Sequence, residues 1–212
     1  MISYNFKNIS HVFIDFDGTL KDTDNIKADL FIKIFNKKNK SIKKKIIKHH
    51  FNNLGITRSK KIPLYMKWNK ILVNPKNKKK YLDKYKKEIF EKVCVSKWMP
   101  GAYNFIKKFS NEKKIYLLTA SPHQEIKKIC KTINITSFFE GIFGHPYFKV
   151  KIINKIISKK KLKKTECIYI GNALSDYKAA KLNRVNYIHF NKENKKIKKN
   201  RFVINNFNKL KI

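Results

Sequence analysis

The chain has 212 residues, with 51 lysines and arginines against 14 aspartates and glutamates, and a formal net charge of +37 at pH 7. This length suffices for one α/β domain with a modest insertion, and no stretch approaches the roughly 18 apolar residues of a membrane span, so we expect a cytoplasmic protein with no membrane partner. Cys94, Cys130 and Cys167 form no C-x-x-C pair, which argues against zinc binding and disulfides.

The high positive charge raises the question of a nucleic-acid partner. Only Arg58, Arg184 and Arg201 are arginines, and the lysines are spread through every segment, whereas proteins that read bases and phosphates favour arginine. Lysine, asparagine, isoleucine, phenylalanine and tyrosine are all abundant, as codon bias in an A- and T-rich genome would produce. We therefore expect no nucleic-acid partner, although a positive field would draw anionic substrates toward a cleft.

The strongest motif lies at residues 11–20. A run of β-formers at residues 12–14 predicts a buried strand, which residues 18 and 19 end. Asp15 and Asp17 follow the run two residues apart, so they share a face while the chain stays extended. Two close carboxylates repel each other unless a cation lies between them, and Mg²⁺ suits such oxygen ligands.

Residues 21–95 predict helices only, and form an insertion between two strands. The signals come in chain order. Thr23 and Asp24 are N-cap candidates for a first helix, and a second ends near Gly55. Pro63 opens a third, which Asn74-Pro75 closes, and a fourth runs through Leu82, Tyr85, Ile89 and Val93.

The next predicted strand, residues 115–118, ends at Thr119. Ser121 as N-cap, Pro122 as first helical residue and Gln124 as the third predict a capping box, so a helix starts directly behind the strand. The free N–H groups and positive dipole end of such a helix favour an anion. Thr119 would place a hydroxyl in that anion site.

Further strands alternate with helices along the rest of the chain. Residues 138–143 predict a short strand, and an apolar stripe behind it places Lys149 in the first turn of a helix, with Lys151 as the alternative lysine. Strands at residues 167–170 and 185–190, with a possible edge strand at residues 202–204, complete the set. This alternation predicts an α/β fold with a parallel sheet that carries helices on both faces and binds ligands at the carboxyl ends of its strands.

The candidate residues resemble the motifs of the haloacid dehalogenase superfamily. Asp15-Phe16-Asp17-Gly18-Thr19 is similar to its motif I, which reads Asp-x-Asp-Gly-Thr/Val in the phosphatase branch. Thr119, Lys149 and the loop from Gly171 to Asp176 resemble motifs II, III and IV, and the overall pattern resembles the phosphoglycolate phosphatase-like branch. The resemblance implies a Rossmann-like core of residues 1–20 and 96–212, with a helical C1-type cap at residues 21–95.

The resemblance also implies roles for these residues. Asp15 would be the nucleophile, Asp17 the general acid and base, Thr119 a donor to the phosphoryl group and Lys149 a neutralising cation. Mg²⁺ would be the cofactor, and its ligands would be Asp15, the backbone carbonyl of Asp17, Asn172 and Asp176. Motif IV normally carries aspartate where this chain has Asn172, so we expect weaker metal binding or lower activity.

Substrate selection in such proteins resides in the cap. The segment at residues 53–61 resembles a Gly-Ile-Ser-Arg element of related hydrolases, and Arg58 is either a bidentate grip on an anion or a surface residue at a helix end. Gly18, Thr19 and Ala120 complete the expected substrate-binding set. His49 and His50, beside this segment, are expected on the surface.

These features predict a Mg²⁺-dependent phosphatase that hydrolyses phosphoglycolate or a sugar phosphate through an aspartyl-phosphate. Phosphoglucomutase-like phosphoryl transfer is one alternative. A protein with this fold that has lost turnover and binds nucleic acid or another partner is a second. The expected assembly is a monomer or homodimer.

Overall fold

The computed structural model describes residues 4–35, 39–192 and 202–211, and a six-stranded parallel sheet lies at its centre. The strands are β1 (Tyr4–Asn5), β2 (His11–Ile14), β3 (Lys114–Pro122), β4 (Gly141–His145), β5 (Cys167–Gly171), β6 (Asn186–Phe190), β7 (Phe202–Ile204) and β8 (Leu210–Lys211). The order in the large sheet is β4-β3-β2-β5-β6-β7, and β1 pairs with β8 separately. The α/β fold with a parallel sheet is confirmed, and so is the edge strand at residues 202–204.

Eight α-helices accompany these strands in the described ranges. They are α1 (Asp24–Phe35), α2 (Lys40–Asn52), α3 (Arg58–Trp68), α4 (Pro75–Cys94), α5 (Ala102–Phe109), α6 (His123–Thr132), α7 (Lys149–Lys160) and α8 (Leu174–Asn183). None of the helices in these ranges is long and apolar enough to cross a membrane.

The alternation of side chains along β2 divides the hydrophobic core into two layers. Val12 and Ile14 point into one buried cluster, which includes side chains of α5 and α6, and Phe13 points into the other, with side chains of α7 and α8. All four residues of β2 are buried, because helices cover both faces of the sheet. This burial fixes β2 in the middle of the sheet and holds the two acids that follow it.

The carboxyl ends of the central strands meet at one edge of the sheet. Asp15 directly follows β2, Thr119 lies in the second half of β3, and Asn172 directly follows β5. α7 begins at Lys149, as predicted, shortly after β4. The fold therefore brings the four predicted motifs to the same edge.

Helices α1 to α4 pack around a cluster of aromatic rings. Phe31 lies at its centre, with ring centroids 4.7 Å from Tyr85, 5.0 Å from Tyr65 and 5.6 Å from His50. α4 also packs against α6. The domain boundaries at residues 20/21 and 95/96 stay a prediction.

Four predicted boundaries were wrong. Asn74-Pro75 does not close α3, which ends at Trp68; Asn74 is instead the N-cap of α4. α3 begins at Arg58 and contains Pro63 in its interior. Proline has no N–H, so the helix lacks one backbone hydrogen bond there, and the turns on either side hold the helix together. The segment at residues 138–143 contains the end of a 3₁₀ turn (Thr136–Phe138), and β4 starts only at Gly141. The capping box at Ser121 is absent, since β3 continues through Pro122 and α6 begins at His123 without a side-chain cap.

We expect Phe31→Ala to lower the free energy of unfolding by about 3–5 kcal/mol, because it removes the ring at the centre of the aromatic cluster. Urea denaturation followed by circular dichroism measures the change. Leu72→Ala is the matched control, because that side chain is 71% exposed and its loss should cost less than about 0.5 kcal/mol. Equal effects of the two variants would contradict this account of the packing.

Candidate active site

Two buried carboxylates share one lysine at the carboxyl edge of the sheet. The Lys149 ammonium donates to Asp15 Oδ1 at 2.5 Å and to Asp176 Oδ1 at 2.6 Å. Tyr169 Oη also donates to Asp176 Oδ1, at 3.1 Å. Lys149 rather than Lys151 thus occupies the position beside Asp15, because the start of α7 points only the first of them inward; Lys151 is exposed.

Burial and charge act in opposite directions on this cluster. Burial raises the pKa of Asp15, Lys149 lowers it, and the carboxylates of Asp176 and Asp17 raise it again, so the net direction is upward. Burial lowers the pKa of Lys149, but the two carboxylates outweigh burial and raise it. The cluster has one more carboxylate than ammonium groups, and an additional cation beside Asp15 would favour its ionised form.

Asp17 accepts hydrogen bonds from both sides of the cleft. Thr119 Oγ1 and Ser121 Oγ donate to its Oδ2 at 3.1 and 3.0 Å, and Thr23 Oγ1 donates to its Oδ1 at 2.7 Å. Lys27, from the second turn of α1, forms an ion pair with Oδ2 at 2.6 Å. The hydroxyl of Ser121, predicted to cap a helix, therefore binds a carboxylate instead.

These donors keep Asp17 ionised. Burial alone would raise its pKa, but the charge and hydrogen bond of Lys27, together with the hydroxyls of Thr23 and Ser121, lower the pKa to about 2. Asp15 and Asp17 thus lie close together in different environments, and their pKa values move in opposite directions. Such a separation is typical of carboxylates with different roles in one reaction.

The loop after β5 places Asn172 and Asp176 in different surroundings. Asn172 Nδ2 donates to Asp24 Oδ2 at 3.0 Å, which leaves its Oδ1 as a neutral acceptor. Asp176 is fully buried; its Oδ1 binds Lys149 and Tyr169, and its Oδ2 accepts from the backbone N–H of Ala173 at 2.9 Å. The contacts of Asp176 favour a role in holding Lys149 over the predicted role of metal ligand.

The donor atoms at this edge fit Mg²⁺ better than a metal that needs a dense set of side chains. No group of three or more His, Cys, Asp or Glu side chains in residues 4–35, 39–192 and 202–211 is arranged to hold a metal ion. Asp15 Oδ2 has only a long contact of 3.5 Å with the Thr19 hydroxyl, and Asn172 Oδ1 is a second oxygen. Mg²⁺ accepts one or two protein oxygens and takes the rest from water and phosphate.

Two glycines, one after β2 and one between α2 and α3, lie where a side chain would not fit. Gly18 has a φ of +72°, and a Cβ there would collide with Asn172 and Asp24. Gly55 has a φ of +82° and lies against Ser175 of the loop after β5. The predicted tight turn at Gly55 thus brings the segment between α2 and α3 onto the core.

Arg58 does not present a free guanidinium to the cleft. Its Nη1 and Nη2 donate to Glu125 Oε1 and Oε2 at 3.0 and 2.6 Å, and its Cζ lies 5.1 Å from the ring centre of Tyr85. The side chains of Arg58 and Glu125 are 13% and 7% exposed. Arg58 is therefore neither an available grip for an anion nor a surface residue; it joins α3 to α6 across the cleft.

His50 was expected on the surface and is buried instead. It lies between α1 and α3, where Nε2 is 3.1 Å from the Asp24 carbonyl oxygen and Nδ1 is 3.2 Å from Lys61 Nζ. Burial and the charges of Lys61 and Lys27 lower its pKa to about 3, so the ring is neutral at pH 7. The error arose because the apolar stripe of α2 in the sequence consists of Ile42, Ile46, Ile47, Phe51 and Leu54 and leaves His50 out, although His50 packs between α1 and α3.

The remaining predicted substrate residues have different positions. Ala120 lines the cleft between the helices and the sheet, together with Asp15, Asp17 and Thr119. Thr19 is buried behind Asp15. The cleft has a volume of ≈ 60 Å³, far below the roughly 300–1,000 Å³ of typical ligand pockets, so in this conformation α1 to α4 lie close to the core.

Comparison with known proteins identifies the family of this chain. The family model for haloacid dehalogenase-like hydrolases matches residues 12–190. The chain belongs to that family. Its members are hydrolases, and the residues matched include all four motifs described above. The comparison with curated proteins found no match.

Solved structures share the fold at low sequence identity. Magnesium-bound YfnB from Bacillus subtilis, assigned as a HAD-hydrolase, is 16% identical with a TM-score of 0.72, covering 95% of this chain and 96% of that chain. A protein from Lactobacillus delbrueckii subsp. bulgaricus assigned as a phosphoglycolate phosphatase is 12% identical with a TM-score of 0.72, covering 96% of both chains. A protein from Thermotoga maritima assigned as a β-phosphoglucomutase is 17% identical with a TM-score of 0.68, covering 90% and 89%.

The sequence did not identify several residues at the cleft of this haloacid dehalogenase-like hydrolase. Lys27, Lys61, His50 and Glu125 all line the cleft or contact residues that do. The two lysines could not be distinguished from the many others by composition. A helical-wheel analysis of α1 and α3 was the available signal, since it would have placed both lysines on inward faces.

We expect Glu125→Gln to lower the free energy of unfolding by about 3 kcal/mol, because it leaves the charge of Arg58 without its partner in a largely buried position. Urea denaturation measures the effect. Asp83→Asn is the matched control, because the Lys79–Asp83 pair is 81% and 57% exposed and should contribute less than about 0.5 kcal/mol. A Glu125→Gln cost as small as that of Asp83→Asn would show that the Arg58 pair does not stabilise the fold.

Proposed function

We propose that this protein is a Mg²⁺-dependent phosphatase that hydrolyses a small phosphomonoester through an aspartyl-phosphate intermediate in the cytoplasm. The observation that carries the proposal is the pair of carboxylates at the end of β2. Asp15 contacts a buried lysine and retains one lightly bonded oxygen, and Asp17 lies beside the hydroxyls of Thr119 and Ser121. The family membership and the relatives assigned as phosphatases support the same reaction.

The first step would transfer the phosphoryl group to the protein. Asp15 attacks the phosphorus, the bond from phosphorus to the leaving oxygen breaks, and Asp17 donates a proton to that oxygen. Lys149 and the hydroxyl of Thr119 stabilise the negative charge that builds on the phosphoryl oxygens. Asp17 has to be protonated for this step, and the ion pair with Lys27 opposes protonation, so Lys27 must move away when substrate binds.

The second step would release phosphate. Asp17, now a carboxylate, takes a proton from a water molecule, which attacks the phosphorus and breaks the bond to Asp15. The donors around Asp17 favour the ionised form from which this half of the reaction starts. Asp15 is again a free carboxylate, and Asp17 holds the proton that it donates in the next turnover.

Mg²⁺ would be held by Asp15 and Asn172, and by the substrate. When bound, Mg²⁺ supplies positive charge that neutralises Asp15 and the phosphoryl oxygens. Asn172 contributes an uncharged oxygen where the family pattern has a carboxylate, so we expect weaker metal binding than the usual motif gives.

A second candidate is phosphoryl transfer between two positions of one sugar phosphate. The observation that favours it is the closure of the cleft by Arg58 and Glu125, because a transferred phosphoryl group survives only where water is excluded. Conversion of a sugar 1-phosphate to its 6-phosphate isomer without phosphate release would establish transfer over hydrolysis.

We expect phosphate release from 2-phosphoglycolate or a sugar phosphate to require both Mg²⁺ and Asp15. Asp15→Asn should lower kcat by at least about 10³-fold, because it removes the nucleophile and a metal ligand. A colorimetric phosphate assay over a substrate panel, with and without Mg²⁺, measures this. Turnover that survives Asp15→Asn would overturn the mechanism, and its absence on every substrate would favour a binding protein that has lost turnover.

We expect Asn172→Asp to strengthen Mg²⁺ binding only when Asp24 is changed as well. Alone, it places a second carboxylate at hydrogen-bond distance from Asp24, and the two charges repel each other. The double variant Asn172→Asp with Asp24→Asn keeps the hydrogen bond with donor and acceptor exchanged, and should bind Mg²⁺ about tenfold more tightly than the wild type. Isothermal titration calorimetry compares the four proteins, and a gain in the single variant as large as in the double variant would contradict the pairing.

A further inference from the structure

A buried lysine faces the cleft from α3. Lys61 is 3% exposed and lines the same cavity as Asp15, Asp17 and Thr119. Its Nζ lies 3.2 Å from His50 Nδ1, and it also donates to the His50 carbonyl oxygen at 3.4 Å. Both partners are neutral, so neither balances the charge of the ammonium group.

Lys61 differs from the other cations of the cleft. Lys27 pairs with Asp17, Lys149 pairs with Asp15 and Asp176, and Arg58 pairs with Glu125. In residues 4–35, 39–192 and 202–211, by contrast, no carboxylate lies within ion-pair distance of Lys61. Buried charges in proteins are normally paired, so this ammonium group is suited to an anion from outside the chain.

His50 holds Lys61 in a fixed orientation. Since His50 Nε2 contacts a backbone carbonyl oxygen, that nitrogen carries the proton and donates, and Nδ1 accepts from the Lys61 ammonium. The third hydrogen of the ammonium group is available to a ligand in the cavity. The low pKa of His50 keeps the ring in this neutral state at pH 7.

We propose that Lys61 binds a second oxyanion of the substrate, a carboxylate or a further phosphate, at a distance from the phosphoryl group that reacts at Asp15. This inference rests on the proposed phosphatase function and adds the substrate class: phosphomonoesters with a second anionic group. Arg58 was the cation expected to do this from the sequence, but Glu125 already occupies both of its terminal nitrogens.

The electrostatics of the cleft agree with this assignment. Burial and the charge of Lys27 lower the pKa of Lys61 to about 8, against the opposing effect of Asp24 and Asp17. The group is thus still a cation at pH 7, and burying this charge without a carboxylate partner costs free energy. A bound oxyanion would remove that cost, which is how a site gains affinity for an anionic substrate.

Three substrates with one two-carbon skeleton test the proposal. Ethyl phosphate has no second anion, 2-phosphoglycolate adds a carboxylate, and 1,2-ethanediol bisphosphate adds a phosphate. We expect Lys61→Met to lower kcat/KM for one or both of the doubly anionic substrates by about 10- to 100-fold and to change ethyl phosphate by less than about threefold. The substrate that loses more identifies the oxyanion that Lys61 binds.

Lys60→Met is the matched control, because Lys60 is exposed on the same helix and carries the same charge. It should change none of the three values by more than about threefold. Equal losses for all three substrates in Lys61→Met would overturn the proposal and assign a structural role to Lys61. No loss for any substrate would overturn it as well.

Two further measurements separate this inference from the proposed function. If the wild type hydrolyses none of the substrates, the phosphatase function fails, but calorimetric binding of phosphonoacetate and ethylphosphonate still tests Lys61. A preference for phosphonoacetate that Lys61→Met abolishes supports the proposal. A preference that persists in Lys61→Met overturns it. In ligand-free protein, Lys61→Met should raise Tm, because it removes an unpaired buried charge. A lower Tm would count against the proposal, because it would show that Lys61 stabilises the fold.

Discussion

The whole site depends on two buried carboxylates sharing the single ammonium group of Lys149. Without that cation, Asp15 and Asp176 would be two uncompensated charges in the interior, which is a cost of several kcal/mol. The sheet places Asp15 after β2, and α7 delivers Lys149 from the neighbouring region, so the interaction also joins elements far apart in sequence. Because one ammonium group faces two carboxylates, the cluster remains short of positive charge, and this deficit is what suits it to Mg²⁺.

The helices inserted after β2 control Asp17 as much as the sheet does. Thr23 and Lys27 at the start of α1 bind one side of its carboxylate, and Thr119 and Ser121 from β3 bind the other. A movement of α1 away from the sheet would remove Lys27 and ease the protonation of Asp17 that its proposed role as an acid requires. Closure of the helices over the cleft and the protonation state of Asp17 are therefore coupled through one ion pair.

The sequence predicted the fold and the motif residues well and the cap contacts poorly. Strand and helix periodicity was sufficient to predict that Asp15, Asp17 and Thr119 lie together at the carboxyl edge of a parallel sheet. The apolar residues of β2 and β3 predict that both strands are buried, as they are. The partner of Arg58 was not predictable, because Glu125 lies 67 residues away and no local pattern connects them. Ser121 was misassigned since a hydroxyl before a helix can cap it or bind a distant carboxylate, and only tertiary structure decides.

Charge count and charge placement lead to different conclusions about this protein. A net charge of +37 describes the surface, where most lysines are solvated and contribute little. In the part of the chain that the structure describes, Lys27, Lys149 and Arg58 each pair with a buried or largely buried carboxylate, whereas Lys61 in the cleft has no carboxylate partner. A substitution that changes one interior charge therefore alters what the cleft can bind, whereas many surface lysines could change without effect. Burial, not abundance, is what distinguishes a functional lysine in a chain of this composition.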